Sequence, residues 1–298
     1  MSVKLTAFSK TDVGQQREQN EDNAYAFVTE DGLAGLFIVA DGMGGYQAGE
    51  VASRIAVEKI RDTLKQCFVP VYDQPTIRLT PISEQETIML DPVVSADDDA
   101  TILLDQTKVR SASKTRKLPD NTKVMEDLLK DAIRKANRAI LAYGEEHSGA
   151  RGLGCTVTMA LIQDGQAHIA NIGDSRTYML RNGDLSPVTK DHSLVAKLVE
   201  TKQIAPDEIY THPQRNLIYH SLGAGHKHVD PDVFHHTLQP GDQLLLCSDG
   251  LWEMVRSPAL LQTLIGPDEI EKTCETLIQL ANESGGVDNI SAVVVRVS

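Results

Sequence analysis

Two apolar runs in this chain stop in the same way. "LFIVADGMGG" (Leu36–Gly45) and "GDQLLLCSDG" (Gly241–Gly250) each read as a buried strand, and each ends in an aspartate followed by glycine. Each run thus delivers one carboxylate, Asp41 or Asp249, into a turn with little side-chain bulk, where the backbone can approach a ligand closely. Taken singly, Asp-Gly is an ordinary turn dipeptide and needs no further meaning. The same arrangement recurs along the chain, however. Glu21 and Asp22 stand in "REQNEDN", Asp174 in "NIGDSR" and Asp288 in "GGVDNIS". Five loops, spread from one end of the sequence to the other, each offer acid beside small or polar residues. Hard divalent cations such as Mg²⁺ and Mn²⁺ take oxygen ligands of this kind.

Composition narrows the partners. The 298 residues carry a net charge of −13, with no Lys/Arg stripe interleaved with aromatics, so nucleic acid is not an expected partner. Aromatics make up only 4%, so the core must be aliphatic. Cys67, Cys155, Cys247 and Cys274 lie far apart without a CxxC pair and read as reduced residues of a cytoplasmic protein, with Cys155 and Cys247 in the core. There is no secretory leader pattern and no run of about 18 apolar residues, so no membrane span is expected.

The local pattern predicts a hairpin from "AYAFV" and "LAGLFIVA", split by the turn signal "TEDG". Helical periodicity follows in "AGEVASRIAVEKIRDTLKQC" and "VMEDLLKDAIRKANRAILAYGEEH". A strand series, "CTVTMALIQ", "QAHIANIG" and "RTYMLRNGDL", is punctuated by Asp164-Gly165 and Asn182-Gly183, which argues for antiparallel pairing. "DHSLVAKLVETKQI" reads as a helix leading into a polar stretch. Two C-terminal helices and a last strand, "ISAVVVRV", complete the series.

With these motifs in order, the sequence closely resembles the bacterial form of the metal-dependent protein serine/threonine phosphatases, the type-2C or PPM family. The resemblance rests on "REQNEDN", "VADGMGG", "GCTVTMALI", "IANIGDSRTYML", "TKDHSL", "SLG", "LLLCSDGLWEMV" and "GGVDNISAVVV". It implies an α-β-β-α sandwich, two antiparallel sheets flanked by helices, formed by one catalytic domain over residues 1–298 with a flap subdomain at 195–222. It implies that Asp41 bridges two Mg²⁺ or Mn²⁺ ions and that the Gly42 carbonyl reaches one of them. Asp249 and Asp288 would join Asp41 at the first ion. Asp22 and Glu21 would act at the second ion, mostly through water, and Asp174 would hold a third, looser ion. Arg17 matches the arginine that grips the substrate phosphate, a task suited to a planar guanidinium, and Asn289 would orient Asp288 or its turn. The implied function is hydrolysis of phosphoserine and phosphothreonine on proteins by metal-activated water, opposing Ser/Thr kinases, in a monomeric signalling enzyme. The competing readings are an inactive phosphoprotein-binding relative and a phosphatase dedicated to one regulatory partner. One departure stands out: Met43 occupies the position where many eukaryotic members carry histidine.

Residues 69–121 fall outside the resemblance. Pro70, Pro75, Pro81 and Pro92 interrupt the segment, acids dominate Glu84–Asp105 and bases dominate Gln106–Lys117, a composition expected of a flexible insert between two helices. It carries T-I-x-L three times, at Thr76, Thr87 and Thr101. These are either short β-prone segments or phosphorylation sites resembling ligands of a forkhead-associated domain.

Overall fold

The computed structural model describes residues 3–44, 48–68, 121–147, 150, 152–266 and 269–298. The insert, its three threonines and Gly45 therefore lie outside the described residues, except that the helix after the insert already begins at Asn121.

In chain order the strands are β1 (Leu5–Asp12), β2 (Asn23–Val28), β3 (Gly35–Ala40) and β4 (Gly42–Met43), followed by helices α1 (Ala48–Leu64) and α2 (Asn121–Glu146). Then come β5 (Gly154–Cys155), β6 (Val157–Gln163), β7 (Gln166–Ile172), β8 (Arg176–Arg181), β9 (Asp184–Pro187) and α3 (Leu194–Glu200). The chain closes with β10 (Leu222–Gly223), β11 (Asp232–Thr237), β12 (Gln243–Cys247), α4 (Asp249–Trp252), α5 (Ser257–Leu264), α6 (Ile270–Glu283) and β13 (Ile290–Val297). One five-stranded sheet runs β1-β13-β12-β8-β9 and the other β11-β7-β6-β3-β2, and all their pairs are antiparallel. A small ribbon, β10-β5-β4, stands apart from both.

The apolar runs owe their continuity to burial on both faces. In β3, Leu36, Ile38 and Ala40 join the core beneath α1 and α2, while Phe37 and Val39 point into the core between the sheets. In β13, Ile290, Ala292 and Val294 pack with α5 and α6, and Val293, Val295 and Val297 face the other sheet. Period-two alternation thus divides each strand between two apolar layers, and the expected four-layer sandwich follows. The expected hairpins also form, β2–β3 and β6–β7, with Asn182-Gly183 turning β8 into β9. One detail differs from the simple strand series. β7 and β8 are consecutive but lie in opposite sheets, so the segment between them, Gly173–Ser175, crosses the end of the sandwich.

The core between the sheets holds a small polar seam. Thr158 and Thr177, both fully buried, join across the two sheets through their hydroxyls at 2.7 Å. Replacing one partner leaves the other hydroxyl stranded, whereas removing both does not. Thr158→Val should therefore cost about 1–3 kcal/mol in chemical denaturation. The Thr158→Val/Thr177→Val pair should recover part of that loss in a double-mutant cycle.

Candidate active site

Register alone brings the acidic loops together. The start of β2 is paired with the end of β3 (Asn23 opposite Ala40), so Asp22 and Asp41 leave neighbouring strands at the same edge. The end of β12 lies opposite the starts of β13 and β8 (Cys247 opposite Ala292 and Arg176), which gathers Asp249, Asp288 and Asp174. The two sheets are stitched at this edge. Thr156 donates its N–H to the Asp41 carbonyl at 2.9 Å, and the Thr156 hydroxyl meets that of Ser175 at 2.6 Å.

Close backbone approach requires glycine at several points here, two of which set the site. A Cβ on Gly42 would overlap the carbonyls of Gly49 and Glu21, at the N-terminus of α1. Gly14 has φ +80° and rests on the carbonyl of Asp288, so the loop after β1 closes directly over the loop before β13. Asn289 holds that closure. Its Nδ2 donates to the carbonyls of Val13 and Gln19, and its Oδ1 accepts the Glu21 N–H at 2.8 Å. Asn289 thus anchors the loop that carries Arg17, Glu21 and Asp22.

The carboxylates share one unfavourable field. Burial, then Asp22, Asp249, Asp174 and Asp288, push Asp41 well above the usual carboxylate range. Burial, then Asp174 and Asp288, do the same to Asp249. Burial raises Asp22 to about 7 even though Ser248 donates to its Oδ2 at 2.7 Å. Asp174 also rises to about 7, through burial and then Asp191. Repulsion among gathered carboxylates and desolvation both favour protons here, and a cation would do the same work better. Two buried oxygens, Asp22 Oδ1 and Asp249 Oδ1, have no hydrogen-bond partner. Among the described residues no three His, Cys, Asp or Glu side chains are drawn into metal-ligand geometry about one point. The donor set nevertheless fits a hard divalent cation: several oxygens, two of them unpartnered, with no thiol or imidazole among them.

Each expected site residue can now be placed. Asp41, Asp249 and Asp288 are partly exposed at the sandwich edge, and Asp22 and Asp174 are buried. Glu21 lies at the start of α1, where the N–H groups of Gly49 and Glu50 offset a rise caused by burial. That position makes it a helix-end carboxylate. Arg17 is half exposed and binds Asp288 Oδ2 at 2.7 Å. An exposed pair of this kind is weak, so a phosphate can compete for the guanidinium. Ser248 and Ser291 are site residues that the sequence reading missed. Ser291 N–H donates to Ser248 Oγ, which in turn donates to Asp22. Their available signals were the serine of "CSDG" beside Asp249 and the last residue of "GGVDNIS".

The segment leading into residues 195–222 is fixed at the same edge. Arg176 forms a two-pronged ion pair with Asp191 at 2.7–3.1 Å and lies 3.5 Å over the Trp252 ring. Trp252 donates to the Asp174 carbonyl. His192 is buried at the flap root, its Nδ1 accepting from the Gly173 N–H and its Nε2 3.3 Å from Asp232. Its two ring nitrogens are thus both engaged within the protein. Cys155, Cys247 and Cys274 are free and buried, as expected of core residues, while Cys67 is half-buried.

A fold and edge of this kind define a class of metal-dependent hydrolase, and comparison with known proteins names it. The model of the protein phosphatase 2C family matches residues 14–288, and the chain belongs to that family. It is 33% identical over 287 residues to the serine/threonine phosphatase Stp of Listeria monocytogenes, covering 96% of this chain and 94% of that protein. The catalytic domain of the serine/threonine protein phosphatase PstP, solved with two manganese ions, is 30% identical, with a TM-score of 0.72 and 99% of both chains covered. Stp1 of Staphylococcus aureus is 32% identical, with a TM-score of 0.72 and coverage of 99% and 95%.

Raised carboxylate pKa values fix the sign of a pH effect. In the unfolded chain these groups lose their protons near pH 4, whereas in the fold Asp22 and Asp174 hold theirs to about pH 7. Their contribution is present at low pH and is lost as pH rises through about 7. Metal-stripped protein should therefore lose thermal stability as pH rises from about 4 to about 7. Saturating Mn²⁺ should raise the melting temperature more at the upper end of that range. Melting curves that rise with pH in EDTA would contradict this account.

Proposed function

We propose that this edge is the catalytic centre of a protein serine/threonine phosphatase that hydrolyses phosphoserine and phosphothreonine and opposes Ser/Thr kinases. The observation that carries the reading is the gathering of carboxylates from five loops, with two buried oxygens unpartnered. Family membership and the two manganese ions of the PstP structure support Mn²⁺ or Mg²⁺ as the cofactor.

Asp41, Asp249 and Asp288 would hold the first ion. Asp41 and the Gly42 carbonyl, with Asp22 and Glu21 behind them, would serve the second, and Asp174 a third. Bound there, paired divalent cations supply an acidified water as nucleophile and withdraw charge from the phosphoryl oxygens. The chain's own residues do the rest. Ser248 holds Asp22 by Oδ2 and leaves Oδ1 without a partner, and Asn289 fixes the loop that presents Arg17. Arg17 exchanges Asp288 for the substrate phosphate and neutralises part of its charge. Met43 has no proton to give, and His192 is committed to Gly173 and Asp232. The complete carboxylate set argues against an inactive relative.

Free cysteines, three of them buried, support a cytoplasmic setting, and among the described residues no helix is long and apolar enough to cross a membrane. Recruitment of a forkhead-associated domain by phosphorylated Thr76, Thr87 or Thr101 is supported by the sequence alone.

Asp41→Asn is nearly isosteric but cannot bridge two cations with full charge. It should cut turnover of a phosphothreonine peptide about a thousandfold or more with folding intact. Near-normal turnover at saturating Mn²⁺ would sink the assignment. Asp174→Ala should lose about tenfold or more in turnover yet still bind two Mn²⁺ in a calorimetric titration. Loss of that pair would move Asp174 into the core site.

A further inference from the structure

A second cavity, of about 590 Å³, lies between α2, the β10–β11 connection and the root of the flap. Its charge runs against that of the whole molecule. Three cations line it, Arg134, Arg138 and Lys227, against one acid, Asp230, in a chain of net charge −13. His220, His226 and His228 add further nitrogen donors or acceptors. Among the described residues the side chains of Arg138 and Lys227 have no ion-pair or hydrogen-bond partner, and both are exposed. Asp230 is already engaged by Arg134 at 2.9 Å, so it does not neutralise the other two.

The wall is built rather than incidental. The turn after β10 passes through three successive left-handed residues, Gly223 (φ +67°), Ala224 (φ +46°) and Gly225 (φ +83°). A left-handed alanine is strained and needs support. The support comes from Asn137 of α2, 1% exposed, which accepts the Gly223 N–H at 2.7 Å and donates to the His226 carbonyl at 2.8 Å. One buried side chain thereby clamps both ends of the turn and presents His226, Lys227 and His228 opposite Arg134 and Arg138.

The cavity also has a defined relation to the catalytic edge. Ile172, the last residue of β7, lines it, and Asp174 follows two residues later. His220 lines it too, with its ring 5.1 Å from that of His192 at the flap root. The recess and the carboxylate edge thus share the end of β7 and the surroundings of His192.

We propose that this cavity binds a second phosphoryl group carried by the substrate, so that multiply phosphorylated segments are preferred. Guanidinium and ammonium groups are the recognition chemistry of phosphate. The inference rests on the phosphatase reading of the carboxylate edge, and its test separates the two. Wild type, Arg138→Glu and Lys227→Glu would be assayed with p-nitrophenyl phosphate, with a singly phosphorylated threonine peptide and with doubly phosphorylated peptides spaced about two to eight residues apart. Both variants should match wild type on p-nitrophenyl phosphate and on the single phosphopeptide, with unchanged melting temperatures. On the best doubly phosphorylated peptide their KM should rise about tenfold with kcat unaltered. Fluorescence anisotropy in EDTA gives a readout free of catalysis. A labelled doubly phosphorylated peptide should bind wild type in a salt-sensitive way and bind each variant about tenfold more weakly. Equal KM and equal binding across all three proteins would overturn the proposal. So would inorganic phosphate competing as well as the peptide, since the recess would then hold the free anion. A wild type inactive on every substrate would instead refute the phosphatase reading, and the anisotropy arm would still decide the recess.

Discussion

Burial of carboxylates beside other acids is the constraint around which this edge is arranged. Asp22, Asp41, Asp174 and Asp249 are held in one neighbourhood where burial and each other's charge drive their pKa values up. No local element would adopt such an arrangement alone. It is tolerated because each aspartate sits at the end of a strand whose register is set by many backbone hydrogen bonds and two apolar faces. The sandwich holds that unfavourable field in place, and a cation would relieve it.

The contacts around that edge are correspondingly directional. Ser248 and Ser291 give Asp22 one hydrogen-bonded oxygen and leave the other without a partner. Asn289 draws the Arg17 loop down, and glycine at 14 and 42 lets three backbones meet without side chains between them. On the flap side, Arg176 links Asp191, Tyr178 and Trp252, and Arg215 pairs with Glu253 while Arg256 lies over Tyr210. Two residues of the 195–222 segment, Tyr210 and Arg215, are thereby held against the body of the fold by cation contacts.

Much of this was legible before any coordinates. "LFIVADG" and "LLLCSDG" announce buried strands with terminal acids, and the eight ordered motifs identify the family. The helices at Ala48–Leu64 and Asn121–Glu146 follow from apolar spacing. Less legible were strands such as β1 and β11, whose burial patterns are mixed because each lies at a sheet edge. His192 illustrates a different limit. A histidine beside a flap suggests chemistry, yet its two nitrogens serve Gly173 and Asp232. Side-chain type was visible, but its commitments depend on atoms 19 and 40 residues away.

The sequence by itself determined which residues carry charge, which runs are apolar enough to be buried, and where glycine permits a turn, because these are properties of composition and short-range periodicity. Only the tertiary structure decided that β7 and β8 part into opposite sheets and that Arg17 rests on Asp288. It also decided that a buried Asn137 turns a run of histidine and lysine into the wall of a basic recess. Those outcomes depend on long-range register and on the desolvation of particular atoms, which arise only when distant segments share the same space.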